Sequence, residues 1–406
     1  MTTRSLADHH AAVSQALIPN PAMDVLIADA VGGTLAEDIV AREPVPAFPV
    51  AQFDGYAVLA ADVSGARGDA PAVLPVSYDI DFATRSPRTH IPSTAARIPS
   101  GAPLPRGADA VVALAATDGG VARVAVGTPV APGQGVLPVG ADVAAGTVLA
   151  AAGTRLGPRQ VAAAAALGMP RLRVHPVPRV VVLAVGDEII DPGARHRGAE
   201  VSDANSHLLA GLIRRAGAQA FRVGPVPDEP RALRAAIEDQ LVRADVLITT
   251  GGLSDGPRDT VATVLAQLGD FQVVDLDLAP GGRQGLGGIE FGDRVLPVVA
   301  LPGHPGAAAI GFEACVRPAL RAMCGHRTRE RDTVVARAAQ GWSVPAGMVR
   351  PTPVILDDVD GVAVATPLPA ARLSVTDLAR ADALVWSGVQ GLQVAAGDQV
   401  RCAYWG

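Results

Sequence analysis

The sequence of 406 residues contains no lysine, so all 34 of its Lys and Arg positions are arginine. This absence excludes enzymes that form a Schiff base on a lysine amine. It also excludes phosphate-binding loops of the Walker A type, which need a lysine. A genome-wide preference for arginine would give the same count, so the absence narrows the function classes without naming one.

Aromatic residues, cysteines and basic runs are also scarce. Aromatics make up 3% and the net charge is −6, which argues against a nucleic-acid-binding protein. Cys315, Cys324 and Cys402 are too far apart to indicate a disulfide framework or a zinc site. The sequence starts without an apolar signal region and has no apolar run long enough for a membrane span. These features predict a cytoplasmic protein.

The first 175 residues are predicted to form two helices followed by short strands. Apolar residues at helical spacing predict helices over 5–16 and 21–29. From 43 to 153, short β-type runs alternate with Pro- and Gly-rich turns, which is typical of a β-rich region. The strands predicted there are 72–78, 108–113, 121–126 and 143–150.

Residues 176–325 alternate between strands and helices. RVVVLAV at 179–185 and DVLIT at 245–249 are continuous apolar runs, as buried parallel strands require. An amphipathic helix is predicted over 206–216, with Ser206 as its N-cap. The other predicted elements are strands at 220–223, 272–276 and 295–301 and helices at 229–242, 258–268 and 306–323. This order predicts a doubly wound α/β domain whose ligand site lies at the carboxyl ends of its strands.

Beyond residue 327 the pattern returns to short strands, interrupted by a helix near 374–381, and predicts a C-terminal β-domain.

Three segments could carry chemistry. TTGGLSDGPRD at 249–259 follows a strand and opens a helix, where glycines and free N–H groups favour an anion. A strand–helix turn that binds no ligand would show the same residue pattern. VGDE at 185–188 also ends a strand, and its carboxylates either hold a hard cation such as Mg²⁺ or only face solvent. LPGHP at 301–305 ends the last strand, and Pro305 suits a first helical turn.

Six blocks in sequence order resemble the molybdopterin molybdotransferase family, which includes bacterial MoeA and the gephyrin E-domain. The blocks are FDGYAV (53–58), RIPSGAPLPRGADAVV (97–112), PRVVVLAVGDE (178–188), SDANSHLLAGLIRRAG (202–217), ITTGGLSDGPRD (248–259) and LPGHPGAA (301–308). The resemblance implies a multidomain α/β fold with four parts. These are an elongated N-terminal region (1–45 and 145–175), an inserted β-rich domain (46–144), a doubly wound α/β molybdopterin-binding domain (176–326) and a C-terminal β-domain (327–406).

The resemblance also implies a function and site residues. A transferase of this kind inserts molybdenum from molybdate into adenylylated molybdopterin, while Mg²⁺ assists hydrolysis of the adenylate. It works as a homodimer, with a molybdopterin adenylyltransferase upstream. The implied catalytic residues are Asp54, Asp142, Asp228 and Asp259. The implied substrate contacts are Ser100, Thr250, Gly251, Gly252, Ser254, Gly303 and Pro305. The implied Mg²⁺ ligands are Asp187, Glu188 and Asp259. In this family Asp54, Ser100 and Asp142 reach the cleft from the other subunit.

The chain departs from the family at the molybdate pocket. The two lysines of the family's KPGKP-like turn fall on Ala279 and Gly282. Other cationic or hydroxyl positions of the family fall near Leu137, Pro353 and Arg372. Arg283, Arg350 and Arg372 remain as candidates for contact with a dianion. Losing two or three charge-assisted bonds, each worth roughly 1.5–3 kcal/mol, would weaken that contact by orders of magnitude.

Two functions therefore stay open. The first is an active molybdotransferase. The second is a catalytically weakened, gephyrin-like dimeric scaffold that binds a short partner peptide, for example from a tubulin-like division protein. Residues 280–288 resemble the corresponding turn of actinobacterial gephyrin-like relatives. Convergence of Arg283, Arg350 and Arg372 on the cleft would favour the enzyme.

Overall fold

The structure is a computed structural model that describes residues 2–81, 86–253, 259–368 and 373–405. The chain divides into two compact units. The first unit consists of Met1–Glu37, Ala152–Gly157 and Arg171–Gly406, and the second unit consists of Asp38–Ala151 and Pro158–Pro170. The division into four domains given above stays a prediction.

Short strands make up most of the regular structure. Up to residue 175 they are β1 (Thr2–Arg4), β2 (Met23–Leu26), β3 (Thr34–Leu35), β4 (Ile39–Val40), β5 (Val50–Ala51), β6 (Gly55–Val58), β7 (Ala72–Asp79), β8 (Ala95–Ile98), β9 (Ala110–Ala113), β10 (Arg123–Val126), β11 (Val136–Leu137), β12 (Val148–Ala150) and β13 (Arg171–His175). After it they are β14 (Arg179–Val185), β15 (Ile189–Ile190), β16 (Val201–Ser202), β17 (Gln219–Val226), β18 (Val246–Thr250), β19 (Gly269–Leu276), β20 (Arg283–Phe291), β21 (Arg294–Leu301), β22 (Thr333–Ala338), β23 (Trp342–Val344), β24 (Pro351–Val359), β25 (Val362–Pro367), β26 (Ala383–Trp386), β27 (Leu392–Val394) and β28 (Gln399–Tyr404).

The helices lie mainly between the strands of the first unit. They are α1 (Leu6–Ala16), α2 (Pro158–Ala166), α3 (Asn205–Ala216), α4 (Pro230–Glu238), α5 (Thr260–Leu268), α6 (Pro305–Gly311), α7 (Arg317–Met323) and α8 (Val375–Arg380). Short 3₁₀ turns occur at Ile27–Asp29, Ala60–Val63 and Leu114–Ala116, and a π-helical turn occurs at Phe312–Val316. Among the described residues, none of these helices has both the length and the apolar character that crossing a bilayer requires.

The second unit is built on a five-stranded sheet in the order β10-β7-β8-β6-β9. One of its two apolar clusters is aliphatic except for Tyr56, which is fully buried together with Val58 and Val112. The β-rich prediction for this part of the sequence is confirmed, since each of the four predicted strands overlaps an observed one.

The first unit contains a seven-stranded sheet in the order β1-β19-β20-β21-β18-β14-β17. Strand β14 lies inside it, paired in parallel with β17 and β18. Val180 and Val182 belong to the apolar cluster on one face, and Val181 and Leu183 belong to the cluster on the other. Burial on both faces explains why this strand is a continuous apolar run. The α/β prediction is confirmed.

Strand β20 differs from the predicted pattern because it runs antiparallel to both neighbours, β19 and β21. The sequence pattern predicts no strand here, since residues 280–288 resemble a turn. Its glycines at 285, 287 and 288 lower the β-propensity of the segment, and pairing on both sides outweighs that preference.

Two helix predictions need correction. The segment predicted as a helix at 21–29 forms β2 and a 3₁₀ turn, because Met23–Leu26 pairs with β13. Ser206 is not the N-cap of α3. The helix begins one residue earlier, and the Asp203 carboxylate accepts from the Ser206 N–H at 2.9 Å. A carboxylate just outside the helix therefore satisfies that N–H group.

The predicted helix at 306–323 is present, but it changes its winding at the π-helical turn between α6 and α7. Pro318 lies at the start of α7. Proline has no N–H to donate to the preceding turn, which accounts for the change in hydrogen-bond spacing at this point.

The C-terminal part of the first unit contains a closed barrel, β22-β25-β24-β26-β28. The predicted C-terminal β-structure is confirmed, and so is its helix, which Ser374 caps. The barrel is joined to the sheet region by backbone bonds from Val349 N to Asp277 O (2.7 Å) and from Ala279 N to Val349 O (3.0 Å).

Candidate functional site

A cavity of about 640 Å³ lies at the carboxyl ends of the parallel strands in the first unit. The turns after β14, β17, β18 and β21 all contribute to its lining, together with the start of α3 and Arg283 of β20. Ligand sites of open α/β sheets occur at this edge, where the strand order changes direction. The predicted residues Glu188, Asp228, Gly251, Gly252, Gly303 and Pro305 are among those that line it.

The turn after β18 brings backbone close to this cavity. Gly251 has a φ of 91°, and a Cβ there would lie 2.3 Å from the Val185 carbonyl oxygen. Only glycine fits such a position. The Gly251 N–H donates to Leu301 O at 3.3 Å, so that donor is already engaged within the protein. The predicted contact Ser254 lies outside the described residues.

Three acidic residues line the cavity, and the carboxylate of one of them, Asp203, is engaged by Ser206. Glu188 follows β14, and Asp228 follows β17. Asp187 lies beside them, since its Oδ1 accepts from the Asp228 N–H at 2.9 Å. One carboxylate oxygen of Asp228, Oδ1, is buried and has no hydrogen-bond partner within the described residues. A buried acceptor of this kind is costly unless a donor or a cation satisfies it.

Asp259 stands at the N-terminus of α5. Its Oδ1 accepts from the Ala262 N–H at 3.1 Å, which caps the helix. Its Oδ2 lies 4.0 Å from Nη2 of Arg283. The Arg283 guanidinium also donates to Leu253 O (2.7 Å) and pairs with Asp275 (3.3 Å). Arg283 therefore lines the cavity with much of its charge already compensated.

A metal site was predicted at Asp187, Glu188 and Asp259. In the part of the chain that the structure describes, no three His, Cys, Asp or Glu side chains come close enough to form a protein-only metal cluster. Mg²⁺ keeps several waters and often takes only one or two carboxylates plus substrate phosphates. The unpartnered Asp228 Oδ1 and the nearby Glu188 fit that kind of site.

Thr250 and Asn205 link the backbone turns that line the cavity. Thr250 is fully buried, and its hydroxyl donates to Pro302 O at 2.9 Å. The Asn205 carboxamide donates to Thr250 Oγ1 (2.8 Å) and to Gly303 O (2.7 Å). Asn205 is not among the predicted site residues, although it belongs to the block SDANSHLLAGLIRRAG (202–217) that resembles the family.

The remaining predicted site residues belong to the second unit. Asp54 and Ser100 are brought together, since Asp54 Oδ1 accepts from the Ser100 N–H at 2.7 Å. The backbone N–H of Asp142 donates to Val45 O. All three residues are exposed.

A second cavity of about 310 Å³ lies between the turn that follows Leu278 and the barrel. Ala279 and Arg350 both line it, and among the described lining residues Arg350 carries the only positive charge. Pro353 is buried, and Arg372 lies outside the described residues. Arg283 and Arg350 thus line different cavities and do not converge.

The backbone itself excludes a side chain at Gly282. A Cβ there would lie 2.6 Å from Leu278 O and 2.8 Å from Leu276 O. The turn is packed against its own carbonyl groups, and a lysine at this position would require the backbone to shift.

Comparisons with known proteins agree with this architecture. Residues 4–168 match the family model described as "MoeA N-terminal region (domain I and II)", and residues 181–322 match "Probable molybdopterin binding domain". Molybdopterin molybdenumtransferase 1 of Mycobacterium tuberculosis is 38% identical over 360 residues, which cover 85% of this chain and 84% of that protein. Molybdopterin molybdenumtransferase 2 of the same organism is 34% identical over 404 residues, 98% of each chain. The crystal structure of a molybdopterin biosynthesis MoeA protein from Pyrococcus horikoshii matches with a TM-score of 0.82 at 28% identity and covers 100% of both chains.

The fold and the cavity define a multidomain α/β protein with a ligand cleft at the carboxyl edge of its sheet. Two relatives above 30% identity extend over most of the chain. The chain therefore belongs to the molybdopterin molybdenumtransferase family.

Proposed function

We propose that the chain inserts molybdenum from molybdate into adenylylated molybdopterin and releases AMP. The observation that carries this proposal is the cavity after β14 and β18, where a glycine turn, Glu188 and Asp228 line the same space. Gly251 and Gly252 let a phosphate-bearing ligand approach the backbone. Glu188 and Asp228 stand where a phosphate group would need a cation.

Mg²⁺ fits this cavity as the cation. Glu188 and Asp228 would hold it together with ligand phosphates, and Asp187 lies beside Asp228. Asp259 lies beside Arg283, which lines the same cavity. When bound, Mg²⁺ lowers the negative charge of the phosphates and so favours attack by water. The protein's own groups on either side of the cation would bind and orient the substrate.

Molybdate is the second substrate in this proposal. The cavity that contains Ala279 and Arg350 corresponds to the family's lysine turn, and Arg350 supplies a positive charge there. A dianion with few cationic partners binds weakly. We therefore infer a molybdate affinity lower than that of relatives that carry the lysines.

The proposed active form is a cytoplasmic homodimer in which Asp54, Ser100 and Asp142 complete the cleft of the partner subunit. The bond between Asp54 and the Ser100 N–H supports a shared role for these two residues. A molybdopterin adenylyltransferase would supply the substrate, because the adenylate has to be made by another enzyme.

The test is complementation of a strain that lacks its molybdotransferase, scored by nitrate reductase activity, together with release of AMP from adenylylated molybdopterin by the purified chain. The wild-type chain should restore nitrate reductase activity in the strain and release AMP in the assay, and Asp228→Asn should do neither. Soluble, folded protein that neither complements nor releases AMP would reject the proposal and favour the scaffold alternative.

A further inference from the structure

Asn205 lies where two turns of the cavity meet, and its side chain has a fixed orientation. Gly303 O can only accept a hydrogen bond, so the amide nitrogen must face it at 2.7 Å. The Thr250 hydroxyl donates to Pro302 O, so its oxygen is left to accept from the same nitrogen at 2.8 Å. Both donors of the carboxamide are therefore used.

These bonds join separate parts of the cavity. Thr250 is the last residue of β18 and precedes the Gly251–Gly252 turn, whereas Gly303 belongs to the turn between β21 and α6. Both turns line the cavity, as Asn205 does. A single side chain thus sets the distance between two backbone segments that face the same ligand space.

The start of α3, which carries Asn205, is itself held in place. The Asp203 carboxylate accepts from the N–H and the hydroxyl of Ser206, and Arg222 of β17 donates to the Ser206 hydroxyl at 2.8 Å. Arg222 and Asp203 also form an ion pair at 3.9 Å. A group held by its own supporting shell can position neighbours precisely.

Core stability alone does not account for a carboxamide here. Asn205 is buried, and its Oδ1 has no hydrogen-bond partner among the described residues. An unpaired buried acceptor costs roughly 1–3 kcal/mol. An arrangement that costs stability and lines a ligand cavity is typical of functional positions.

We propose that Asn205 is a positioning residue that holds the turn after β18 and the turn after β21 at the spacing that the adenylylated substrate requires. This inference rests on the proposed function. Because both turns line the cavity, their displacement would weaken binding of the ground state and of the transition state alike. Loss of such uniform binding raises KM and leaves kcat nearly unchanged.

The experiment measures steady-state AMP release from adenylylated molybdopterin by wild type, Asn205→Ala, Thr250→Val and the double variant. Each single variant should raise KM by about tenfold with kcat within about twofold of wild type. The double variant should be no worse than either single variant, because both remove the same link. His207→Ala, on the exposed face of α3, is the matched control and should match wild type.

Several results would overturn the inference. One is a wild-type KM in Asn205→Ala, and another is an additive increase of KM in the double variant. A third is a lower kcat with an unchanged KM, because that result indicates only a smaller folded fraction. If Asn205→Ala does not fold, the KM values of Thr250→Ser and Thr250→Val are compared instead. Serine keeps the oxygen that accepts from Asn205, so Thr250→Ser should keep the wild-type KM. Equal KM values for those two would also reject the inference. Absence of AMP release by wild type would instead reject the proposed function.

Discussion

Asp259 contacts both the backbone of its own helix and Arg283. Its Oδ1 caps α5 through the Ala262 N–H, and its Oδ2 faces the guanidinium. Alanine at this position would remove a helix cap, worth about 1 kcal/mol, as well as a charge. Asparagine keeps the capping oxygen and removes only the charge.

Asp259→Asn should therefore lower Mg²⁺-dependent AMP release at least about tenfold while the melting temperature stays near that of wild type. The physical reason is the loss of one carboxylate near the proposed cation. AMP release over a range of Mg²⁺ concentrations is the measurement, and Asp259→Ala separates the effect of the charge from that of the cap. An unchanged rate in Asp259→Asn at every Mg²⁺ concentration would contradict the metal assignment.

At the scale of elements, the turn between β19 and β20 determines what the second cavity can bind. Backbone carbonyls fill the space where a Gly282 side chain would lie, whereas Ala279 lines the cavity. The two positions that carry lysine in the family therefore differ in how they tolerate a side chain here.

Ala279→Lys should fold like wild type and bind molybdate about tenfold more tightly, because it adds a cation beside Arg350. Gly282→Lys should lose about 2 kcal/mol of unfolding free energy or more, because its side chain has to displace backbone. Molybdate binding by calorimetry and urea unfolding measure the two effects. Equal stability of the two variants would show that the turn is not fixed by its carbonyl packing.

Helix α1 gives a pH dependence of stability. His9 is fully buried, and burial, reinforced by nearby Arg4, lowers the pKa of its imidazole to about 4. The unfolded chain, with an ordinary pKa near 6.5, binds this proton more readily than the native state does. The stability that neutral His9 contributes is therefore fully present above pH 6.5 and is lost as the pH falls towards 4.

His9→Gln should remove part of this loss, up to about 3 kcal/mol of unfolding free energy between pH 6.5 and 4. Urea unfolding of both proteins across this range is the measurement, and His207→Gln on an exposed surface is the control. His326 has a pKa lowered in the same direction, so the substitution flattens the profile without abolishing its slope. Parallel profiles for wild type and His9→Gln would contradict the prediction.

Elements with a clear period were predictable from the sequence. The strand at 179–185 is buried on both faces, so its residues after Arg179 are all apolar and the strand can be recognised from the sequence. Strand β20 and the short β2 were missed, because their formation depends on partner strands distant in the sequence. Local preference is weak where pairing on both sides stabilises a glycine-rich segment.

The predicted site shows the same limit. Motifs at strand ends identified Glu188, Gly251 and Gly303, since carboxyl ends of parallel strands meet at one edge. The link through Asn205 could not be predicted, because it joins residues 45 and 98 positions away. Hydrogen bonds within the fold, such as Gly251 N–H to Leu301 O, are likewise invisible in the sequence.

At the scale of the whole molecule, the proposed dimer can be tested by mixing two inactive proteins. Asp54→Asn and Asp228→Asn should each be inactive alone, because each removes one carboxylate from every cleft. If the two residues act on a cleft from different subunits, mixed dimers contain one intact cleft. Activity after subunit exchange should then reach about a quarter of the wild-type value.

Light scattering should give a dimer for both variants, and a mixture of Asp228→Asn with Asp259→Asn is the control. Those two residues belong to the same unit, so mixing the two variants should give no more activity than the average of the variants alone. Recovery in the control, or none in the test mixture, would contradict sharing of clefts between subunits.

The pairing of β1 with β19 has a consequence for how the chain is synthesised. Thr2 lies opposite Val274, and Val13 and Leu17 of the first helical segment belong to the same core as β18 and β21. During vectorial synthesis the opening strand and helix therefore wait, unpartnered, while some 270 residues follow. The five strands of the second unit's main sheet all lie between residues 55 and 126, so they are synthesised within that interval. Strand β1 and helix α1 are therefore the parts of the nascent chain that wait longest for their partners.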